Sequence, residues 1–488
     1  MFAIVLLVVY LLAMIAMGVW AMRKTSTLGD FFLGGRSIGP WISAFAYGTT
    51  YFSAVIFIGF AGKLGWGFGL NVLWIAAGNV VFGSLLAWLV LGRRTRRMTQ
   101  NLDAMTMPEF LQARYGGGNL VKILAAVVIF VFLLPYSASV FKGLGHLFEA
   151  VFHIPYGTAL LIMIGITGVY LVLGGYFAIT ITDFVQGMIM LVGSVLMIAF
   201  LFGRGGGVAA TFASAARGFA AHRPAGQGIN VPLLISLVFM TSFGTWGLPQ
   251  MVQKFYAVKN EKVIGKAAVA TALFALVISG VAYLNGGLSH AFLQAPPLLA
   301  SGKPDYDRII PTVMTANLPS WLMAVILLLV LAASMSTLSS LVLVSASAVS
   351  IDLYKGVVNP NQSKKGSLLM IRVLSAVFVV FSYVIARFEF GVIVTLMSLS
   401  WGVVAGAFMA PFLYGLYWKR ATRAGILAGM LTGALLGVAL FFVLGEANSP
   451  IASSIAMIAP FAVVPLVSAF SRPPEGALIA KAFDGVAR

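Results

Sequence analysis

The feature that most constrains this chain is a succession of thirteen apolar segments, each about the length of a membrane span, joined by short polar stretches. They run over 2–22, 41–62, 68–92, 120–151, 156–174, 178–203, 230–256, 263–293, 309–349, 368–387, 391–417, 422–445 and 450–471. A helix needs about 20 mainly apolar residues to cross the hydrocarbon core. In lipid every backbone donor and acceptor must be paired internally, which restricts spanning structures to helices and closed barrels. The expectation is an all-α integral membrane protein with 13 transmembrane helices. Composition agrees: 9% of the 488 residues are charged and 60% hydrophobic, whereas a soluble domain carries roughly 25% charged residues. The first segment has no basic start and too long an apolar run for a cleavable signal. Trp41, Trp321 and Trp418 fall near segment ends, as interfacial anchors do.

The same figures exclude several functions. With no cysteine in the chain, there is no disulfide scaffold, thiol nucleophile or cysteine metal site. A formal charge of +18 could suggest a nucleic-acid binder, but too little polar surface remains to present a basic face to water. The charge is better explained as a topology signal. Starting outside and alternating places 23 of the 31 Lys and Arg residues on one side, among them Arg23, Lys24, Arg93, Arg94, Arg96, Arg97, Lys254 and Arg488, and 7 on the other, among them Lys63, Arg204, Arg223 and Lys303. Basic residues in short loops mark the cytoplasmic side, so the N-terminus is expected outside and the C-terminus inside the cell membrane. The loops 204–229 and 294–308 fall outside, and neither is long enough for a domain. No nucleotide motif, metal cluster or catalytic loop is present. Any energy source would then be an ion gradient.

Transporters of inverted-repeat design open each repeat with a broken helix near the midplane, marked by paired Gly/Pro-interrupted segments. Two stretches match: Phe45 to Ala54 in the second segment and Thr241 to Gln250 in the seventh, five segments apart. Both carry Gly and hydroxyl residues mid-span, and Pro249 removes a backbone donor. Unwinding frees carbonyls that suit a hard cation and half-helix N-termini that suit an anion. The plain alternative is close helix packing by small residues.

Asp183 is the one acidic residue clearly inside a segment, and an unpartnered carboxylate there costs at least ~2.5 kcal/mol. Ser336, Ser339 and Ser340 lie at i, i+3, i+4, on one helical face of the ninth segment. Three hydroxyls and a carboxylate match the oxygen preference of Na⁺; the alternatives are a snorkelling Asp183 and serines bonded back to their own helix. Lys142, His146 and Glu149 form a stripe at i, i+4, i+7 on the fourth segment. Lys142 is about 33 Å along that helix at 1.5 Å per residue, in an outer vestibule or interface. It reads either as half of a Lys–Glu pair or as an access-path cation for anionic solute.

These stretches together resemble the sodium:solute symporter family, which includes bacterial proline, pantothenate, sialic acid and galactose carriers. The resemblance runs from about Gly34 to Gly433. It rests on Phe32-Leu33-Gly34-Gly35-Arg36-Ser37, the Asp183 stretch after Gly174-Gly175, Leu331 to Ser340, and Tyr417 to Gly425. It implies a LeuT-type fold: a 5+5 inverted-repeat core with one preceding and two following helices. The organisation expected is one transmembrane domain over 1–471, with a peripheral helix at 1–22, repeats at 41–203 and 230–417, a peripheral pair at 422–471 and a cytoplasmic tail at 472–488.

The resemblance also implies sites. A principal sodium site would use backbone oxygens of Thr49, Phe52 and Ala333 with the hydroxyls of Ser336 and Thr337. A second, as in the sialic acid carriers, would use Asp183, Ser336, Ser339 and Ser340, so the cargo is one or two Na⁺ ions. The solute pocket is expected from Thr50, Tyr51, Ser53, Tyr136, Thr241, Thr245, Trp246 and Gln250. The proline carriers have Asp where this chain has Tyr51, and Trp and Tyr where it has Thr241 and Thr245, a departure from the proline pattern. Few amides are available for a sugar. The function expected is Na⁺-coupled symport of a small amino acid or monocarboxylate, with no enzymatic activity, no nucleic-acid partner and no obligate protein partner. A proton-coupled carrier of the same fold and a non-transporting sensor stay open; the chain's end about 17 residues past the last segment leaves no output domain for the latter.

Overall fold

The computed structural model describes residues 2–22, 32–173, 176–222 and 228–486. Arg23, Lys24, Gly174, Gly175, Arg223 and Arg488 lie outside the described residues. Within them the chain is all helical, with no β-strand and only the isolated bridges Ile38–Val258 and Leu298–Pro304. Ten helices are long and apolar enough to cross a membrane, or eleven if the bent pair Val231–Trp246 and Pro249–Ala257 is one span.

The thirteen expected segments do not map one to one onto these helices. Pro40–Tyr51 has 12 residues, too few to span alone. Residues 55–101 join the end of the second expected segment to the whole of the third in one run, turning at Gly69, where φ is 55° and Phe219 leaves no room for a side chain. The described apolar stretch Tyr156–Gly168 is shorter than a span.

Burial separates a core from a periphery. In Ser320–Val358 and Ile393–Tyr417, 94% of the most apolar stretch is buried, against 17% in Phe2–Trp20 and 28% in Arg423–Leu444. The peripheral helices turn residues such as Leu12, Leu435, Phe442 and Val443 outward. In water such apolar faces would drive association; in lipid they are the solvated surface. Tyr176–Arg204 packs on Ser320–Ser347 and on Pro40–Tyr51, and Ile264–Leu288 packs on Pro40–Tyr51 from another side. At Gly65 a side chain would collide with the backbone of Gly286, so the helix after the first break and Ile264–Leu288 touch backbone to backbone. Such contact needs small residues on both sides. Helix starts follow local chemistry: Thr106, Asn230, Ser363 and Thr422 each accept a backbone N–H from the first turn that follows.

Candidate functional site

The first break follows from local sequence. Pro40 starts a helix that ends at Tyr51, and Phe52 is extended, with φ −109° and ψ 116°. Helix resumes by Val55. A helix end strands carbonyls that would otherwise accept from the next turn. Here the Ala54 N–H donates to Ser334 Oγ at 3.2 Å instead of to its own helix. The Thr337 hydroxyl lies 3.1 Å from the Thr49 carbonyl, 3.2 Å from that of Thr50 and 3.2 Å from that of Ala333. Thr49, Phe52, Ser336, Thr337 and Ala333 are all buried. Carbonyl and hydroxyl oxygens therefore converge between the broken helix and Ser320–Ser347, a donor set suited to a hard cation.

The second break occupies 244–248: a tight turn over Gly244–Trp246, an extended Leu248, then a new helix at Pro249, with a bend of 42°. The two breaks meet at Asn79. Its Oδ1 accepts from Tyr51 Oη at 3.0 Å, Thr241 Oγ1 at 2.9 Å and Ser242 Oγ at 3.3 Å. The one proton of Tyr51 Oη is shared with the Thr241 carbonyl, 2.6 Å away. Beside this knot is a cavity of about 20 Å³, room for a water molecule and too small for a solute. Tyr51, Ser53, Tyr136 and Thr241 line it, as does an aromatic wall of Phe52, Phe60, Tyr283 and Trp401.

Four of the expected pocket residues do not line this cavity. Thr50, one position from Tyr51, points round the helix to Ser340 Oγ at 3.1 Å. Thr245 and Trp246 turn to the carbonyls of Gly83 and Phe82. Gln250 is buried in the first turn after Pro249. Conversely, Asn79, Tyr283 and Trp401 were not singled out from the sequence. The available signal was Asn79, an amide in the middle of an apolar run.

Asp183 is wholly buried, not snorkelling. Its Oδ1 accepts from Ser336 Oγ at 2.6 Å. Its Oδ2 lies 3.4 Å from Lys254 Nζ, which also donates to Ser340 Oγ at 3.1 Å. Lys254, counted on the cytoplasmic side and inside the 230–256 segment, is 1% exposed, on Pro249–Ala257, and faces the bundle interior. Ser339 Oγ donates to the carbonyl of Ser336 at 2.8 Å, bonded back to its own helix rather than to Asp183.

Lys142 pairs with Asp307 at 3.0 Å, lies 3.8 Å from Glu389, and donates to the Gly391 carbonyl at 2.9 Å. Its partner is therefore not Glu149, which pairs with Arg308 at 2.8 Å and approaches His146 at 3.4 Å. Lys142 also lines a cavity of about 1230 Å³ with Lys63, Tyr306, Glu389 and Glu446. Towards the other end, the cavity between Thr106, Gln253 and Asp352 measures about 10 Å³. The cavity at the Lys63 end is thus far larger than the one beside Asp352.

The sodium:solute symporter family model matches residues 31–433. The chain belongs to the sodium:solute symporter family. As a Na⁺/solute symporter it is a multi-pass membrane transporter that moves a solute together with Na⁺, and it is not an enzyme. The chain is 31% identical over 443 residues to the osmoregulated proline transporter OpuE of Bacillus subtilis, covering 88% of this chain and 87% of the relative. It is 29% identical over 440 residues to a sodium/proline symporter of Haemophilus influenzae, covering 88% and 86%. Among solved structures it is similar to the substrate-bound, outward-open state of a Na⁺-coupled sialic acid symporter, a structure described as revealing a novel Na⁺ site. The TM-score is 0.79 at 18% identity, covering 97% of this chain and 99% of that one. The nucleobase-cation-symport-1 transporter Mhp1, closed with bromovinylhydantoin bound, gives a TM-score of 0.56 at 15% identity, covering 93% and 97%. Both likenesses are of fold.

Proposed function

We propose that this symporter brings a small carboxylate-bearing solute with an apolar body, an amino acid or monocarboxylate, into the cell by alternating access. The observation that carries the reading is the convergence of Thr337 Oγ1 with the carbonyls of Thr49, Thr50 and Ala333. Na⁺ is held there by Thr49, Phe52, Ala333, Ser336 and Thr337. Because these oxygens belong to two separate elements, Na⁺ binds more tightly when the elements are together than when they part. That difference in affinity is what lets an ion shift a conformational equilibrium. The solute site is the cavity beside Tyr51, expanded as its aromatic wall moves.

The solute class follows from that lining. No residue in it carries a charge, and Asn79 is its only side-chain amide, so a cation lacks a counter-ion and a sugar lacks partners for its hydroxyls. A carboxylate is met by bound Na⁺ or a half-helix N-terminus. Proline, the solute named for the relatives, belongs to this class.

The finer architecture we propose is thirteen spans, counting each broken helix and the 156–173 helix as one apiece, with the N-terminus outside and the C-terminus cytoplasmic in the cell membrane. Residues 41–203 and 230–417 form inverted repeats, each opened by a break; 1–22 and 422–471 are peripheral, and 472–488 form a tail. In proteoliposomes, an inward Na⁺ gradient is expected to drive accumulation of proline or another small amino acid or monocarboxylate, and not of galactose. Equal uptake with and without Na⁺ at fixed membrane potential would sink the coupling, and preferential uptake of galactose would sink the solute class.

A further inference from the structure

Resting on the symport reading above, we propose that Lys254 is a built-in cation that occupies this chain's second cation position, so that only one Na⁺ travels with each solute. The oxygens that would form a second sodium site are Asp183, Ser336, Ser339 and Ser340. Lys254 Nζ lies among them, 3.4 Å from Asp183 Oδ2 and 3.1 Å from Ser340 Oγ. Ser340 Oγ is in turn 3.1 Å from Thr50 Oγ1. Ser339 donates its hydroxyl proton to the carbonyl of Ser336 in its own helix rather than to Asp183.

Charge argues the same way. Asp183 is the carboxylate of this cluster, and one ammonium neutralises it. A sodium ion added beside them would be a second positive charge without a second negative one, in a place shielded from water, which buried ion pairs tolerate poorly. An ammonium carries three donors and can satisfy a carboxylate and a hydroxyl at once. The position also suits a structural cation. Lys254 is on Pro249–Ala257, just past the second break; Asp183 is on Tyr176–Arg204; Ser340 is on Ser320–Ser347. The tethered ammonium thus joins three helices as a bound ion would, but cannot leave with the solute.

The principal site is untouched. Ser336 is shared between the two positions: it donates its proton to Asp183 Oδ1, and its lone pairs stay available to a sodium ion beside Thr337.

The test counts ions. Radiolabelled sodium and radiolabelled solute are taken up in parallel into proteoliposomes by the wild-type protein, Lys254→Ala and Lys254→Arg. The expected result is one Na⁺ per solute for the wild type and Lys254→Arg, and two for Lys254→Ala, with uptake rising more steeply with Na⁺ concentration in that variant. Two Na⁺ per solute in the wild type overturns the proposal, as does a count of one in an active Lys254→Ala. If Lys254→Ala fails to fold, the wild-type count decides, one supporting and two overturning. Uptake indifferent to Na⁺ in the wild type would instead overturn the symport reading itself, so the two failures are distinguishable.

Discussion

In the proposed sodium site, Thr337 is the hydroxyl that reaches the first break. It spans from Ser320–Ser347 to the first break, within 3.2 Å of the carbonyls of Thr49 and Thr50. Thr337→Val keeps the branched shape and removes the oxygen. The Na⁺ concentration for half-maximal uptake is expected to rise at least about tenfold, equivalent to about 1.4 kcal/mol, with solute affinity retained at saturating Na⁺. Sodium titrations of initial uptake rates check this; an unchanged half-saturation would remove Thr337 from the site. Lys142 has a different character. It is buried against Asp307, and breaking a buried ion pair from one side costs roughly 3–5 kcal/mol. Lys142→Ala is expected to lower the thermal unfolding midpoint clearly. If uptake retains its apparent solute affinity, Lys142 is a clasp and not an access-path cation.

At the scale of elements, the two breaks work because neighbouring helices supply what the unwound turns lose. Ser334 accepts the Ala54 N–H, and Tyr51 donates to the Thr241 carbonyl across to the other break. The helix after the first break is held against Ile264–Leu288 by the backbone contact at Gly65 and Gly286. Gly65→Ala forces these helices apart, and overpacking of this kind costs typically 1–3 kcal/mol. A lower melting temperature is expected in detergent, with uptake reduced more than membrane insertion; an unaffected transporter would mean the contact yields easily. Much of this level was legible beforehand. Gly and hydroxyl residues clustered mid-span marked both breaks, with Pro249 at the second, since backbone that cannot stay helical in lipid must be rescued by nearby side chains. The side chains that do the rescuing were not legible. Asn79 receives three hydroxyls from two other helices, and an amide in an apolar run does not say which helices it will meet. Thr50 lies next in sequence to Tyr51 but faces away from the cavity, because one helical step turns a side chain by about 100°.

For the whole molecule, the bias of basic residues gives a direct expectation of orientation. The chain contains no cysteine, so single cysteines can be introduced without background. Ser301→Cys, in an exposed loop at the Lys63 end, is expected to react with a membrane-impermeant maleimide on intact cells. Glu475→Cys, beyond the last long helix, is expected to react only after permeabilisation. The reverse pattern would invert the proposed topology. With that orientation, the cavity of about 1230 Å³ lined by Lys63 and Lys142 would face the outside.

The sequence by itself determined that the chain lives in a membrane, which stretches break, and where oxygen-rich residues gather. Those properties depend on segment length, hydrophobic content and local backbone chemistry, which a linear reading contains. Only the tertiary structure decided which charges neutralise each other. Lys254 belongs with Asp183, and Lys142 with Asp307, at sequence separations of 71 and 165 residues. Periodicity tells which face a side chain occupies, but not which helix that face will meet. In a low-dielectric interior that meeting decides whether a buried aspartate binds a travelling ion or keeps a resident one.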